Sequence, residues 1–177
     1  MLYMSIALKW AERQDPKRIA LLQVILGGAV LGSAYGFQYL GGLQPCALCH
    51  YQRWPWWIAI GFGLVAVLLR DHPGIQKTVV ALASLAILAG AVVAGFHVGV
   101  EQQWWPGLAS CGGVSEMPMT FEALKQQIMN APVVRCDEVA WSLMGISMAG
   151  YNTLLSLALG LGGLVLLRRR GTDGDAA

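Results

Sequence analysis

Charge is what this sequence has least of. Lys and Arg number 12 and Asp and Glu 10 among 177 residues, so 12% of the chain is charged and 56% is hydrophobic. A soluble domain carries about 25% charged residues. The shortage excludes that class, and the long uncharged runs point to a polytopic membrane protein. Net charge is also small, formally +2, which argues against a nucleic-acid partner. No internal repeat or low-complexity domain appears. Only four cysteines are present, Cys46, Cys49, Cys111 and Cys136. Just one pair is closely spaced, whereas zinc sites usually draw on two such pairs.

Four apolar runs account for most of the chain. Met1 to Arg18 is a mixed, amphipathic lead-in. Ile19 to Leu40 carries no charge and is long enough, at ~1.5 Å per residue, to cross ~30 Å of hydrocarbon. Basic residues ahead of an apolar core also suit a signal peptide, but this run is long for one. The further spans are expected at about 54–69, 78–100 and 144–167. Pro55 suits the first turn of the second span, where a missing N–H costs nothing. A polar turn, Arg70-Asp71-His72-Pro73-Gly74, separates spans two and three. An outer loop covers 101–141. Within it, Phe121, Leu124 and Ile128 have the spacing of a short amphipathic helix over Met119 to Met129, with Thr120 as a candidate N-cap. Such a helix would lie either on the membrane surface or against the protein.

The expected fold class is therefore an all-α membrane protein: a four-helix transmembrane bundle, one integral domain over 1–177, with the long outer loop between spans three and four. Small residues in the spans, such as Gly27, Gly63 and Gly160, allow close helix approach. Basic residues set the orientation. Lys9, Arg13, Lys17, Arg18, Arg70, Lys77 and Arg168 to Arg170 fall on one side, and only Arg53, Lys125 and Arg135 on the other. The first side is expected to be cytoplasmic. Tyr35, Phe37, Tyr39, Trp54, Trp56, Trp57, Trp104, Trp105 and Trp141 cluster at the outer ends, as an interfacial belt would. All four cysteines then face outward, which in a bacterium is the oxidising periplasm.

The chemistry centres on Gln44-Pro45-Cys46-Ala47-Leu48-Cys49-His50-Tyr51-Gln52-Arg53. Four cysteines allow three pairings. A Cys-x-x-Cys disulfide closes so small a loop that it is a poor staple and a good switch. His50 completes a Cys-x-x-Cys-His haem-attachment motif, which would still need a distal ligand and would leave the other two cysteines without a role. Two purely structural disulfides are the plainest alternative. Arg53, four residues after Cys49, is either an interfacial anchor or a cation that stabilises a thiolate or a reduced acceptor. His97 and Glu101, one turn apart at the outer end of span three, are either solvated or turned inward toward a bound acceptor.

Taken together, these residues resemble the disulfide bond formation protein B (DsbB) family. The resemblance covers most of the chain. It rests on four spans, Pro45-Cys46-Ala47-Leu48-Cys49 before the second, Arg53 after it, a widely spaced cysteine pair between spans three and four, and Cys136-Asp137-Glu138-Val139-Ala140-Trp141 leading into the last span. Cys111-Gly112-Gly113-Val114-Ser115 does not match the family residue by residue. The resemblance implies a thiol:quinone oxidoreductase of the bacterial inner membrane, with both termini cytoplasmic, that reoxidises a periplasmic DsbA-like thiol oxidase. The acceptor would be ubiquinone or menaquinone, and no metal is implied. Cys111 would be attacked by the partner, Cys136 would pass reducing equivalents to Cys46, and Cys49 would face the quinone beside Arg53. His97 and Glu101 are expected at the same quinone site. A vitamin K epoxide reductase-like protein shares the chemistry, but its Cys-x-x-Cys is expected at a later span.

Overall fold

The computed structural model describes residues 16–69, 71–112, 120–122, 125 and 134–174. The lead-in, Lys9 and Arg13 included, and most of the expected loop helix over Met119 to Met129 lie outside the described residues.

Four long helices dominate: α1 Pro16–Tyr39, α2 Ala47–Leu68, α3 Pro73–Glu101 and α4 Met148–Gly174. Three of them, α1, α3 and residues Met148–Arg168 of α4, are long and apolar enough to cross a membrane. Each buries a stripe at helical spacing. On α2 the stripe is Leu48, Gln52, Trp56, Ala59, Gly63 and Ala66, and on α1 it includes Ile19, Gln23, Gly27 and Leu31. The opposite faces expose Leu22, Ile25, Leu64, Leu85, Val92, Leu154 and Leu161. Apolar residues on the outside are what lipid contact calls for, because hydrocarbon gives helices no hydrophobic reason to hide them. Short connections place successive helices side by side, with α3 packed against both α2 and α4 and α1 against α2. Small residues make this packing close. A Cβ on Gly160 of α4 would sit 2.5 Å from Leu88 Cγ and 3.1 Å from the Ser84 carbonyl oxygen of α3.

Local sequence explains the helix ends, and several differ from expectation. Pro73 starts α3 at a first-turn position. By contrast α2 begins at Ala47, not near Trp54, because Cys46 is its N-cap and the Cys46 sulfur accepts the Cys49 N–H at 3.2 Å. Cys49 therefore lies in the first helical turn rather than in a loop. Pro55 lies inside α2, and the absence of side-chain bulk at Gly90 leaves room for its ring, which a Cβ there would meet at 3.0 Å. Trp56 is not a belt residue: it is 1% exposed and belongs to the core. The all-α reading also missed a small hairpin, Ser142–Leu143 (β1) paired antiparallel with Ile146–Ser147 (β2), directly before α4. Its two-residue turn has positive φ at Met144 (51°) and Gly145 (78°), the pattern of a tight hairpin turn in which glycine carries the second position without strain.

Candidate functional site

The N-terminus of α2, the C-terminus of α3, the start of α4 and the segment around Cys136 meet at one end of the bundle. Cys111 and Cys136 form a disulfide across 25 residues, with a Cα–Cα distance of 5.2 Å. Cys46 and Cys49 are free thiols, their sulfurs 2.9 Å apart. Both pairs belong to one buried cluster: Cys46, Leu48, Val100, Cys111 and Cys136, with Cys49, Phe96 and Val134 against it. Cys111 is 8% exposed and Cys136 fully buried, so an incoming thiolate reaches Cys111 more easily. Cys111 sits on a 3-10 turn, Ala109–Gly112. The preceding chain is pinned by Trp105, which stacks on Phe96 at 5.8 Å and donates its indole N–H to the Phe96 carbonyl at 3.0 Å. Cys46 precedes α2. Its hydrogen bond with the Cys49 sulfur and its burial push its thiol above the ordinary range, so a thiolate at Cys46 needs donors to form.

Cys49 opens onto a cavity of about 600 Å³. Leu26, Val30, Phe37, Trp141, Met148, Leu155 and Leu159 line its apolar wall, and Arg53, Gln52, His97, Glu101 and Asn152 supply polar groups. A greasy cleft with a few convergent polar atoms suits a ring carrying polar oxygens and an apolar tail. Arg53 is held in place from α1: its Nη1 donates to Gln38 Oε1 at 2.7 Å, and its guanidinium lies 4.6 Å above the Tyr35 ring. It is not the only cation at this cavity. Arg135 also lines it, paired with Asp137 and Glu138. The Arg135 hydrogen bond holds the half-buried Asp137 carboxyl below its usual range.

His97 and Glu101 at the end of α3 both line this cavity. His97 is buried, with Nε2 3.6 Å from the Cys46 sulfur and Nδ1 2.7 Å from Gln52 Nε2. Glu101 accepts a hydrogen bond from Ser147, whose oxygen in turn caps the Gly150 N–H. Cys46, Cys49 and His97 place potential ligand atoms within 4.8 Å of one another. The four-thiolate zinc arrangement does not form, since Cys111 and Cys136 are bonded to each other. The residues that sequence reasoning missed are Gln38, Gln52, Ser147 and Asn152. Their signal was polarity inside or beside an apolar span, which is costly unless it is used.

A family model described as "Disulfide bond formation protein DsbB" matches residues 16–166. The chain belongs to the DsbB family. Similar proteins include two named "Disulfide bond formation protein B". The one from Methylococcus capsulatus is 31% identical and covers 84% of this chain and 90% of its own. The one from Verminephrobacter eiseniae is 33% identical and covers 90% of each. An uncharacterised Rickettsia prowazekii protein is 26% identical over 88% of this chain and 90% of its own length. No solved structure matches. DsbB membership supports an oxidoreductase role in disulfide formation, and with the apolar helices it identifies a multi-pass membrane protein.

Proposed function

We propose that this DsbB-family chain is a four-span thiol:quinone oxidoreductase that reoxidises a DsbA-like partner in the bacterial periplasm. One observation carries the reading: two cysteine pairs meet in a single buried cluster, and Cys46 and Cys49 line a mainly apolar cavity bordered by Arg53.

Each transfer is a thiolate attack on a disulfide. The partner's thiolate attacks Cys111, and Cys136 leaves with the bonding electron pair. Cys136 attacks Cys46 of the oxidised Cys46–Cys49 pair, and Cys49 leaves as the thiolate. The partner's second thiol then closes the partner's disulfide and frees Cys111, which re-forms its bond to Cys136 and releases Cys46. The balance is two electrons and two protons moved from the partner's dithiol to Cys46 and Cys49. A bound quinone, ubiquinone or menaquinone, supplies a two-electron, two-proton acceptor. Arg53, fixed by Gln38 and Tyr35, offers it a planar donor that stays charged. Glu101 and His97 line the same cavity as further polar neighbours.

The membrane placement is part of the proposal. The cysteine end is formed by the C-termini of α1 and α3 and the N-termini of α2 and α4. Lys17, Arg18, Lys77 and Arg168 lie at the other end of their helices, so the positive-inside tendency puts that end and both termini in the cytoplasm. Although α2 carries His50, Gln52 and Arg53 in its first two turns, its 22 residues are long enough to reach across with the others. The test is turnover of purified protein with a reduced DsbA-type thioredoxin-fold partner and a soluble quinone. Stoichiometric quinone loss and partner disulfide are expected. Cys46 and Cys49 that stay inert to the partner, or a haem Soret band in the purified protein, would overturn the reading.

A further inference from the structure

Four polar side chains from three helices form a chain that ends on a reactive sulfur. Trp56 Nε1 donates to Asn152 Oδ1 at 2.9 Å. Asn152 Nδ2 donates to Gln52 Oε1 at 2.6 Å. Gln52 Nε2 faces His97 Nδ1 at 2.7 Å, and His97 Nε2 faces the Cys46 sulfur at 3.6 Å. Gln52 and Asn152 are 100 residues apart in sequence, and Gln52 and His97 45.

The chain has a direction, set by its far end. An indole N–H can only donate. Asn152 must therefore turn its oxygen to Trp56, where the Ser156 hydroxyl also donates to it at 3.4 Å. That leaves the Asn152 amide nitrogen for Gln52, which must answer with its own oxygen. The Gln52 nitrogen is then left for His97. Nδ1 has to accept, so in the neutral ring the proton sits on Nε2. Reversing any one amide would bring two donors or two acceptors face to face in a buried site, at the cost of an unmade hydrogen bond.

We infer that Trp56, Asn152 and Gln52 are positioning residues that hold His97 as its Nε2–H tautomer and aim that N–H at the Cys46 sulfur. The inference deepens the proposed thiol:quinone reading by assigning a job within it. Cys46 leaves a disulfide when Cys111 attacks Cys136 of a Cys136–Cys46 bond. The Cys111–Cys136 bond forms, the old bond breaks, and its electron pair stays on Cys46. The His97 N–H lies where that charge develops, in a buried setting where an unsolvated thiolate is costly. The same tautomer leaves no lone pair at Nε2, so the cluster of Cys46, Cys49 and His97 is built to stabilise a thiolate rather than to hold a metal.

The test reads the tautomer directly. The full chain in detergent, carrying ring-15N histidine, contains three histidines, and His50→Gln and His72→Gln assign the other two signals. The wild type should show a protonated Nε2 and a bare Nδ1. Trp56→Phe keeps the bulk but removes the anchoring donor, and the excess of Nε2–H over Nδ1–H should fall about tenfold, the scale of one hydrogen bond. Gln52→Met cuts the chain at its last link and should do the same, so the test survives if Trp56→Phe fails to fold. In a Cys49→Ser background, the Cys46 thiolate fraction, read by ultraviolet absorbance, should fall about tenfold on adding His97→Phe. A wild-type ring protonated at Nδ1, an unchanged tautomer ratio in the folded variants, or an unchanged thiolate fraction would overturn the inference. None of these measurements needs quinone or partner. An inactive protein with the Nε2–H pattern would therefore sink the functional reading alone, and an active one with Nδ1–H would sink this inference alone.

Discussion

Replacing Arg53 with alanine tests the acceptor site where the physical argument is most exposed. Reducing an acceptor places negative charge on its oxygens in a cavity whose wall is mostly apolar, where a poorly solvated charge is costly. Removing one donor aimed at a developing oxyanion typically costs ~3–4 kcal/mol of barrier. Two features of the structure reduce that figure here. Arg135 lines the same cavity and keeps some positive charge nearby, although Asp137 and Glu138 already engage it. Gln38 is also left behind, able to orient a water or a donor of its own. About 1.4–2.7 kcal/mol therefore remains, a ~10- to 100-fold loss at ~1.4 kcal/mol per decade. Arg53→Lys should keep part of the rate, because an ammonium supplies the charge but cannot stack on Tyr35 and donate in a planar fork at once. Gln38→Leu should cost less than either, about fivefold, by loosening the guanidinium without removing it. The assay is quinone-reduction kinetics with reduced partner in excess and quinone varied, reporting kcat and KM separately. If Arg53→Ala matches the wild type in both, Arg53 is only an interfacial anchor and the argument from charge fails.

Other expectations follow from the same geometry. After reduction, a membrane-impermeant thiol reagent should label Cys111 in intact spheroplasts, and labelling only after lysis would reverse the proposed orientation. With Cys136→Ala, the freed Cys111 thiolate should attack an oxidised partner and accumulate a mixed disulfide visible on a non-reducing gel; an adduct mapped to Cys46 by mass spectrometry would overturn the order of transfer. Gly160→Val should destabilise the bundle by ~1–3 kcal/mol in detergent unfolding, since Leu88 and the Ser84 backbone already occupy the space a side chain needs. Gly162→Val, where a Cβ meets nothing, is the control, and equal losses in both would refute the packing argument.

Much of this protein is determined by its sequence alone, and the reason is the solvent. Lipid leaves no water to satisfy a backbone, so uncharged runs such as Ile19 to Leu40 have little choice but to be helical. The reactive stretch was equally legible, because Cys46, Cys49 and Arg53 fall within eight residues and one helical turn brings Cys49 and Arg53 to the same cavity. The i, i+4 spacing of His97 and Glu101 put them on one face of the helix but left solvated and inward placements both open. Tertiary structure decided what spacing cannot carry. Of the three cysteine pairings open by count, packing against Val100 and Leu48 selects Cys111 with Cys136 and sets that pair beside Cys46. The early start of α2 depends on one sulfur capping one amide, a contact weaker than the hydropathy trend that placed the boundary at Trp54. Trp56 looked like its tryptophan neighbours until helix rotation turned it inward to Asn152. Periodicity tells which residues share a face of a helix; it does not tell which face meets which. The rotation and crossing of α2, α3 and α4 made that choice, and so brought Gln52, His97 and Asn152 into one polar chain inside an apolar bundle.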